Sequence, residues 1–325
     1  MSRDVIIRAV KQISIQNPLS ESWMDTPLPY GTEDFAVSVD PDFKPYVPGM
    51  QARRMGRLLK RAVAVTSEAM AASGITCPDA VIAATGLGCI ENTEAFLNEV
   101  CDGEEMLKPT YFMQSTHNTI ASALAIRFGC HGYNSTYSHG SVSFESALYD
   151  AYLQIRGKEA ETVLVGGFDE ITPSYYVLLR KCGFVLPGTY VCSEAAVAMM
   201  LSGPCLTGNG ICRVEAVRIL HRPSEEELEK ALHAVCGGIR PDAVMTEPDP
   251  IADRMLPGVP QLRYKHIFGE CYTASALGVY AAAVCIGQGR IPGTLCPGVQ
   301  EAPDRILFLN HTAEDNVALV LLTRI

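Results

Sequence analysis

The chain has 325 residues, of which 48% are hydrophobic, and a formal charge of −10 with a pI near 5.2. That size and apolar content suit one large α/β core or two fused halves, and the acidic balance argues against nucleic acid, whose phosphates require clustered Lys and Arg. The twelve cysteines are scattered singly, without a CxxC or other paired spacing, so buried thiols in a reducing cytoplasm are expected rather than a metal centre or a redox pair.

The opening MSRDVIIRAVKQI lacks the basic, apolar and small-residue order of a signal peptide. No segment has the run of about 18 uncharged apolar residues that a membrane span needs. Residues 5–15 predict a first strand, and 17–48, rich in Pro, Asp and aromatics, a loop long enough for a lid or an interface. Residues 51–73 have helical spacing, with Met55, Leu58, Leu59, Ala62, Val65 and Met70 as the buried stripe and Gly74 as the stop. Arg53, Arg54, Arg57, Lys60 and Arg61 bunch there, as a solvated helix face or as a docking patch for an acidic carrier or anionic substrate.

Residues 80–85 predict a buried strand, followed by Gly86-Leu-Gly88-Cys-Ile-Glu91 and a helix to about Val100. Gly-x-Gly after a strand is part of a dinucleotide fingerprint, but Glu91 replaces the third glycine and would repel a pyrophosphate. A sharp turn beside a pocket fits better. Residues 116–127 predict a helix with Ile120, Leu124 and Ile126 on its apolar side, ended by Gly129.

The stretch 134–157, NSTYSHGSVSFESALYDAYLQIRG, reads as a short strand, a tight turn at 138–141 and a long helix. Val142, Phe144, Ala147, Leu148, Ala151 and Ile155 face inward at helical spacing. Unpaired amides and the macrodipole at such a helix start stabilise a thiolate or an oxyanion, yet no cysteine is present. Ser141 would need an adjacent base to act as a nucleophile, and a helix N-cap is its plainer role. His139 reads as a turn or pocket-lining residue.

Residues 162–169 predict a buried strand entering a glycine turn, and 190–201 are strand-like. The Gly- and Pro-rich 203–210 marks the best internal boundary, dividing the chain into 1–204 and 205–325. Beyond it come a strand at 212–220, a helix at 224–236 with a capping box from Ser224 to Glu227, and a strand at 242–245. Residues 271–289 carry no charge, so that helix must be buried on all sides. Strands at 305–310 and 316–322 close the chain. Both halves run strand, helix, strand, buried helix, strand, which predicts a duplicated βα unit with two central helices between sheets.

The series STHNTIASALAIRFGCHGYNSTYS, ETVLVGGFDE, SEAAVAMML and YKHIFGECYTASALGVYAAAVCIGQGRIP resembles the β-ketoacyl synthases of the thiolase-fold superfamily, from about residue 51 to the C-terminus. TYSHGSVSFESAL is similar to divergent synthase-like proteins of bacterial aryl-polyene and flexirubin-type pathways. The resemblance implies an α/β, thiolase-like, five-layered αβαβα sandwich of two pseudo-repeated halves. It also implies a dimer, no cofactor or metal, and an acyl carrier protein as partner. The family's chemistry moves an acyl group to a cysteine and decarboxylates malonyl carrier protein with two histidines, an ordering lysine nearby.

Carried onto this chain, the cysteine position falls among Ser138, His139, Gly140 and Ser141. The first histidine motif falls on AVMTEPDPIAD, placing Glu247 or Pro248 where imidazole stands, and the second on Gly269-Glu270, while the lysine is present as Lys265. The terminal Asn-x-Phe-Gly loop falls on Asn310-His311-Thr312-Ala313, without its glycines, and His311 reaches the turn only if this loop folds as in the family. Cys89, Phe144, Cys271 and Asn310 are implied as pocket lining.

Two carboxylates in place of two histidines put negative charge where an enolate must form. Alternatively one is neutral through burial and the pair donates and accepts a proton, or Glu270 pairs with Lys265. Three functions follow. The first is a non-condensing, chain-length-factor-like subunit forming a heterodimer with an active ketosynthase. The second is an acyltransferase or 3-oxoacyl-carrier-protein synthase with a non-standard site. The third is a homodimer that binds acyl chains or carrier protein.

Overall fold

The computed structural model describes residues 3–30, 35–103, 107–184, 190–204, 206, 210–299 and 302–325. Part of the proposed boundary at 203–210, including Cys205, lies outside the described residues. The first half carries β1 (Ile6–Ile13), α1 (Gly49–Ala52), α2 (Arg57–Ser73), β2 (Ala80–Ala84), α3 (Ile90–Asp102), α4 (Pro109–Ser115), α5 (Thr119–Phe128) and β3 (Tyr133–Tyr137). It continues through α6 (Ser143–Gly157), β4 (Thr162–Asp169), α7 (Pro173–Lys181) and β5 (Ala195–Ser202). The second half carries β6 (Cys212–His221), α8 (Glu225–Cys236), β7 (Ala243–Met245), α9 (Pro250–Met255), β8 (Gln261–Leu262) and α10 (Lys265–Phe268). It ends with α11 (Ala274–Gln288), β9 (Arg305–His311) and β10 (Asn316–Thr323).

Among the described residues the strands form a ten-stranded sheet in the order β3-β2-β4-β5-β1-β6-β10-β9-β7-β8. Counted outward from the centre, each half reads first, fifth, fourth, second, third strand. The halves meet where β1 pairs antiparallel with β6, Ile6 opposite Arg213 and Ile7 opposite Cys212. The two central helices serve both halves: α6 packs on β2, β4 and β6, and α11 on β9, β10, β1 and β5. Every residue of α11 from Ala274 to Ile286 is buried, as its uncharged sequence requires. These layers are the thiolase-like αβαβα arrangement of two pseudo-repeated halves.

The structure corrects several local expectations. The helix expected from residue 51 is broken before Arg57, because Gly56 is extended and lies so close to Asn92 that a Cβ there would meet the Asn92 amide nitrogen at 2.6 Å. Ile126 is 84% exposed rather than on the apolar side of α5. It stands two residues from the buried Leu124, about 200° around a helix, and cannot share its face. Arg61 leaves the basic cluster: it is buried and paired with Asp40 and with Glu194, the latter at 2.7 Å. The loop 17–48, expected as a lid or an interface, is anchored to the core at Trp23, which is buried and whose indole nitrogen donates to the Tyr280 hydroxyl at 3.1 Å. Among the described residues no helix is long and apolar enough to cross a membrane.

Candidate functional site

The start of α6, the segment from α10 into α11, and the β9–β10 turn converge on a cleft of about 310 Å³. Ser141, Tyr264, Lys265, Glu270, Cys271, Ser275, Asn310 and His311 are among its lining residues. Five residues expected there are elsewhere, Glu247 among them. Ser138 and His139 are exposed on the approach to the turn, the His139 ring nitrogen Nδ1 lying 3.1 Å from the Ser146 hydroxyl. Cys89 is buried before α3, where burial first, and then Glu170, Asp169 and Glu91, push its thiol up. Phe144 is wholly buried in the core, because its position on α6 points it at β4 instead of at the cleft.

The turn itself is closed by a different serine from the one expected. The Ser143 hydroxyl accepts from the His139 amide at 2.9 Å and donates to the Gly140 carbonyl at 2.7 Å. A 3-10 turn at Gly140–Val142 intervenes, so α6 begins at Ser143 and Ser141 caps nothing. No thiol stands in the turn. Cys271, which does line the cleft, is buried, and that burial, with Asp169 and Glu270 nearby, holds its thiol well above the ordinary value. It is therefore a protonated wall group and not a nucleophile.

Glu247 and Glu270 play separate roles. One Glu247 oxygen accepts from the Tyr264 and Lys265 amides at 3.0 and 2.8 Å, and the other from the Tyr190 hydroxyl. It thereby fastens the start of α10. Glu270 pairs with the Lys265 ammonium. Burial works against the lysine charge, but the charges and hydrogen bond from Glu270, together with Glu247, outweigh it and raise its pKa. His311 is clamped between Asp249 at 2.7 Å and Asp315 at 3.1 Å. Burial lowers its basicity, yet the hydrogen bonds to Asp315 and Asp249 prevail and raise it. With both ring nitrogens engaged, it is not placed as a base for Ser141.

A further acid was not anticipated. Glu145 is wholly buried behind the cleft-lining Asn310 and Ser275, one oxygen taking a 2.6 Å bond from the Asn310 amide and the other a 3.0 Å bond from the Ser275 hydroxyl. Burial raises its carboxyl to about 7, against the opposing pull of those donors and of Lys265. The signal was present: Glu145 lies three residues from both Val142 and Leu148, on the stripe that faces inward.

The Gly-x-Gly turn is also explained. Asp169 accepts from the Thr85 hydroxyl at 2.9 Å and from the Gly86 and Leu87 amides at 2.9 and 3.1 Å. Those amides hold an internal carboxylate, and a Cβ on Gly86 would meet Tyr272 at 2.3 Å. Among the described residues no group of three or more His, Cys, Asp or Glu side chains is arranged to hold a metal ion.

The mirrored strand order and paired buried helices define a protein of the thiolase-like class. The family profile for the β-ketoacyl synthase N-terminal domain matches residues 24–234, and the chain belongs to that family. The ishigamide ketosynthase/chain length factor is similar, at 17% identity and a TM-score of 0.81. So is a type II polyketide acyl-carrier protein in complex with its ketosynthase bound to the hexaketide, at 13% and 0.83, and a β-ketoacyl synthase from Burkholderia phymatum STM815, at 14% and 0.79. Each alignment covers 100% of both chains. No curated protein sequence matches.

Proposed function

We propose that this protein is a non-condensing, chain-length-factor-like subunit of bacterial fatty-acid or polyketide biosynthesis of aryl-polyene type, working beside an active ketosynthase in the cytoplasm. The observation that carries this reading is the absence of a thiol at residues 138–141, beside a cleft lined by Glu270; the resemblance puts Glu247 and Glu270 where imidazoles would serve malonyl decarboxylation. Condensation needs a thiolate to hold the acyl chain and donors to meet the enolate. Here Glu270 is spent on Lys265 and Glu247 on the α10 amides. Similarity to a ketosynthase/chain length factor supports the same reading.

An acyl carrier protein is the partner that suits the surface. Arg53, Arg54, Arg57 and Lys60 border a separate depression of about 430 Å³ at the start of α2, a basic face for an acidic carrier. The units 1–204 and 205–325 are then the duplicated halves of the scaffold, a division supported by their mirrored strand order. The test is decarboxylation of malonyl carrier protein. The isolated protein is expected to release no CO2, and chain elongation is expected to appear only when a ketosynthase from the same genome is co-purified with it. Release of CO2 by the isolated protein overturns the proposal.

A further inference from the structure

The cleft holds one polar arrangement that a silent partner subunit does not need. Ser275 is the second residue of α11, lines the cleft, and is 3% exposed. Its hydroxyl donates to Glu145 at 3.0 Å, and the Asn310 amide fixes the other carboxylate oxygen at 2.6 Å. Asn310 is itself oriented by a second bond, to the Ser141 carbonyl at 3.2 Å. A serine hydroxyl is too weak an acid to react without a base, and a buried, oriented carboxylate bonded directly to it is such a base. The serine also stands in the first turn of a 15-residue helix, whose macrodipole favours developing negative charge, while the flanking Ala274 and Ala276 amides bond the Cys271 and Thr273 carbonyls at 3.0 and 2.9 Å. Lys265 lines the same cleft.

We propose that Ser275 is an acyl-accepting nucleophile with Glu145 as its base, and that its substrates are acyl thioesters. The Ser275 oxygen attacks the thioester carbonyl while Glu145 takes the hydroxyl proton. The oxyanion faces the first turn of α11 and the Lys265 side of the cleft. The C–S bond then breaks, and the departing thiolate takes the proton from Glu145, leaving a free thiol and an ester on Ser275. Water attacks that ester, giving its proton to Glu145, which returns it to the Ser275 oxygen as the carboxylic acid leaves. The sum is thioester hydrolysis, with no other reactant. Burial that lifts Glu145 to about 7 matches it to proton transfer near neutral pH. This activity goes beyond the partner-subunit reading, which requires no covalent step.

The experiment treats the full chain with a fluorophosphonate, and separately with hexanoyl-N-acetylcysteamine, followed by intact mass and peptide mapping. A single phosphonate adduct on Ser275 is expected, absent in Ser275→Ala and retained in Ser138→Ala, and the thioester should be hydrolysed to hexanoic acid and free thiol by wild type and not by Ser275→Ala. Glu145→Gln keeps the shape of the site and is expected to slow labelling at least about a hundredfold. The wild-type rate should rise with pH to a plateau with its midpoint near 7, as the carboxyl ionises. No adduct, an adduct elsewhere, or unchanged labelling of a folded Glu145→Gln overturns the proposal. Should Ser275→Ala not fold, mapping of the wild-type adduct decides alone. CO2 release from malonyl carrier protein tests the partner-subunit reading and does not bear on this result.

Discussion

Glu145 and Glu170 are both buried carboxyls that burial raises to about 7. Unfolding returns each to its ordinary value of 4.5, so between about 4.5 and 7 the folded protein binds more protons than the unfolded one. Stability therefore falls as pH rises through that window, by about 3 kcal/mol for each group when fully expressed. His311, with its raised value, adds a loss in the same direction, but it is common to wild type and variant. Thermal unfolding followed from pH 5 to 8 is expected to show a steeper fall in Tm for wild type than for Glu145→Gln. Parallel curves would mean that Glu145 does not titrate in this range. The Lys265–Glu270 pair gives a second residue-scale prediction. Lys265→Met leaves Glu270 without its cation and is expected to cost about 1–3 kcal/mol, and adding Glu270→Gln should recover part of that loss in a double-mutant cycle by chemical denaturation.

At the scale of elements, α11 shows how tightly the fold constrains its own centre. A Cβ on Gly278 would meet the Phe308 ring at 2.5 Å and the Tyr264 ring at 2.9 Å, both rings being buried. Alanine ordinarily favours a helix by about 1 kcal/mol over glycine, but here overpacking against two fixed rings is expected to win, for a net loss of about 1–2 kcal/mol. Gly278→Ala should lower the denaturation midpoint, and a raised midpoint would show that the rings yield. This helix was legible in the sequence because an uncharged run has one physical solution. The capping box of α8 was equally legible, since Ser224 and Glu227 bond reciprocally at 2.8 and 3.3 Å through local geometry alone. The short helices α4, α7 and α9 were missed although each begins with proline at its first turn, Pro109, Pro173 and Pro250. Elements of six to nine residues carry too few turns for a periodic pattern to stand out. The site divides in the same way. Lys265, Glu270 and Asn310 followed from family motifs, whereas the Glu145–Ser275 contact joins two helices 130 residues apart and exists only once both are packed.

At the scale of the whole molecule, the mirrored sheet leaves β3 as one outer edge. Its sequence, YNSTY, has no charge or proline, and every residue is exposed or half-buried. An edge of that kind is a template for another strand unless something covers it. Nearby, α5 packs on β3 and presents Ile126 at 84% exposure, and α4, which packs on α5, presents Phe112 and Met113 at 57% and 70%. Polar backbone and apolar side chains exposed side by side favour a protein partner over water. A related subunit presenting the same edge would continue the sheet, one way of forming the proposed heterodimer. Light scattering during size exclusion should therefore give about 70 kDa, twice the 35.1 kDa chain, for the protein alone, or the summed mass of the two chains where it pairs with a ketosynthase. Ile126→Glu places a charge on this face without touching the core, and is expected to shift the particle to the mass of one chain while its far-UV circular dichroism stays that of wild type. A wild-type monomer, with or without the ketosynthase, would sink the idea, and a dimer indifferent to Ile126→Glu would place its contact on another face.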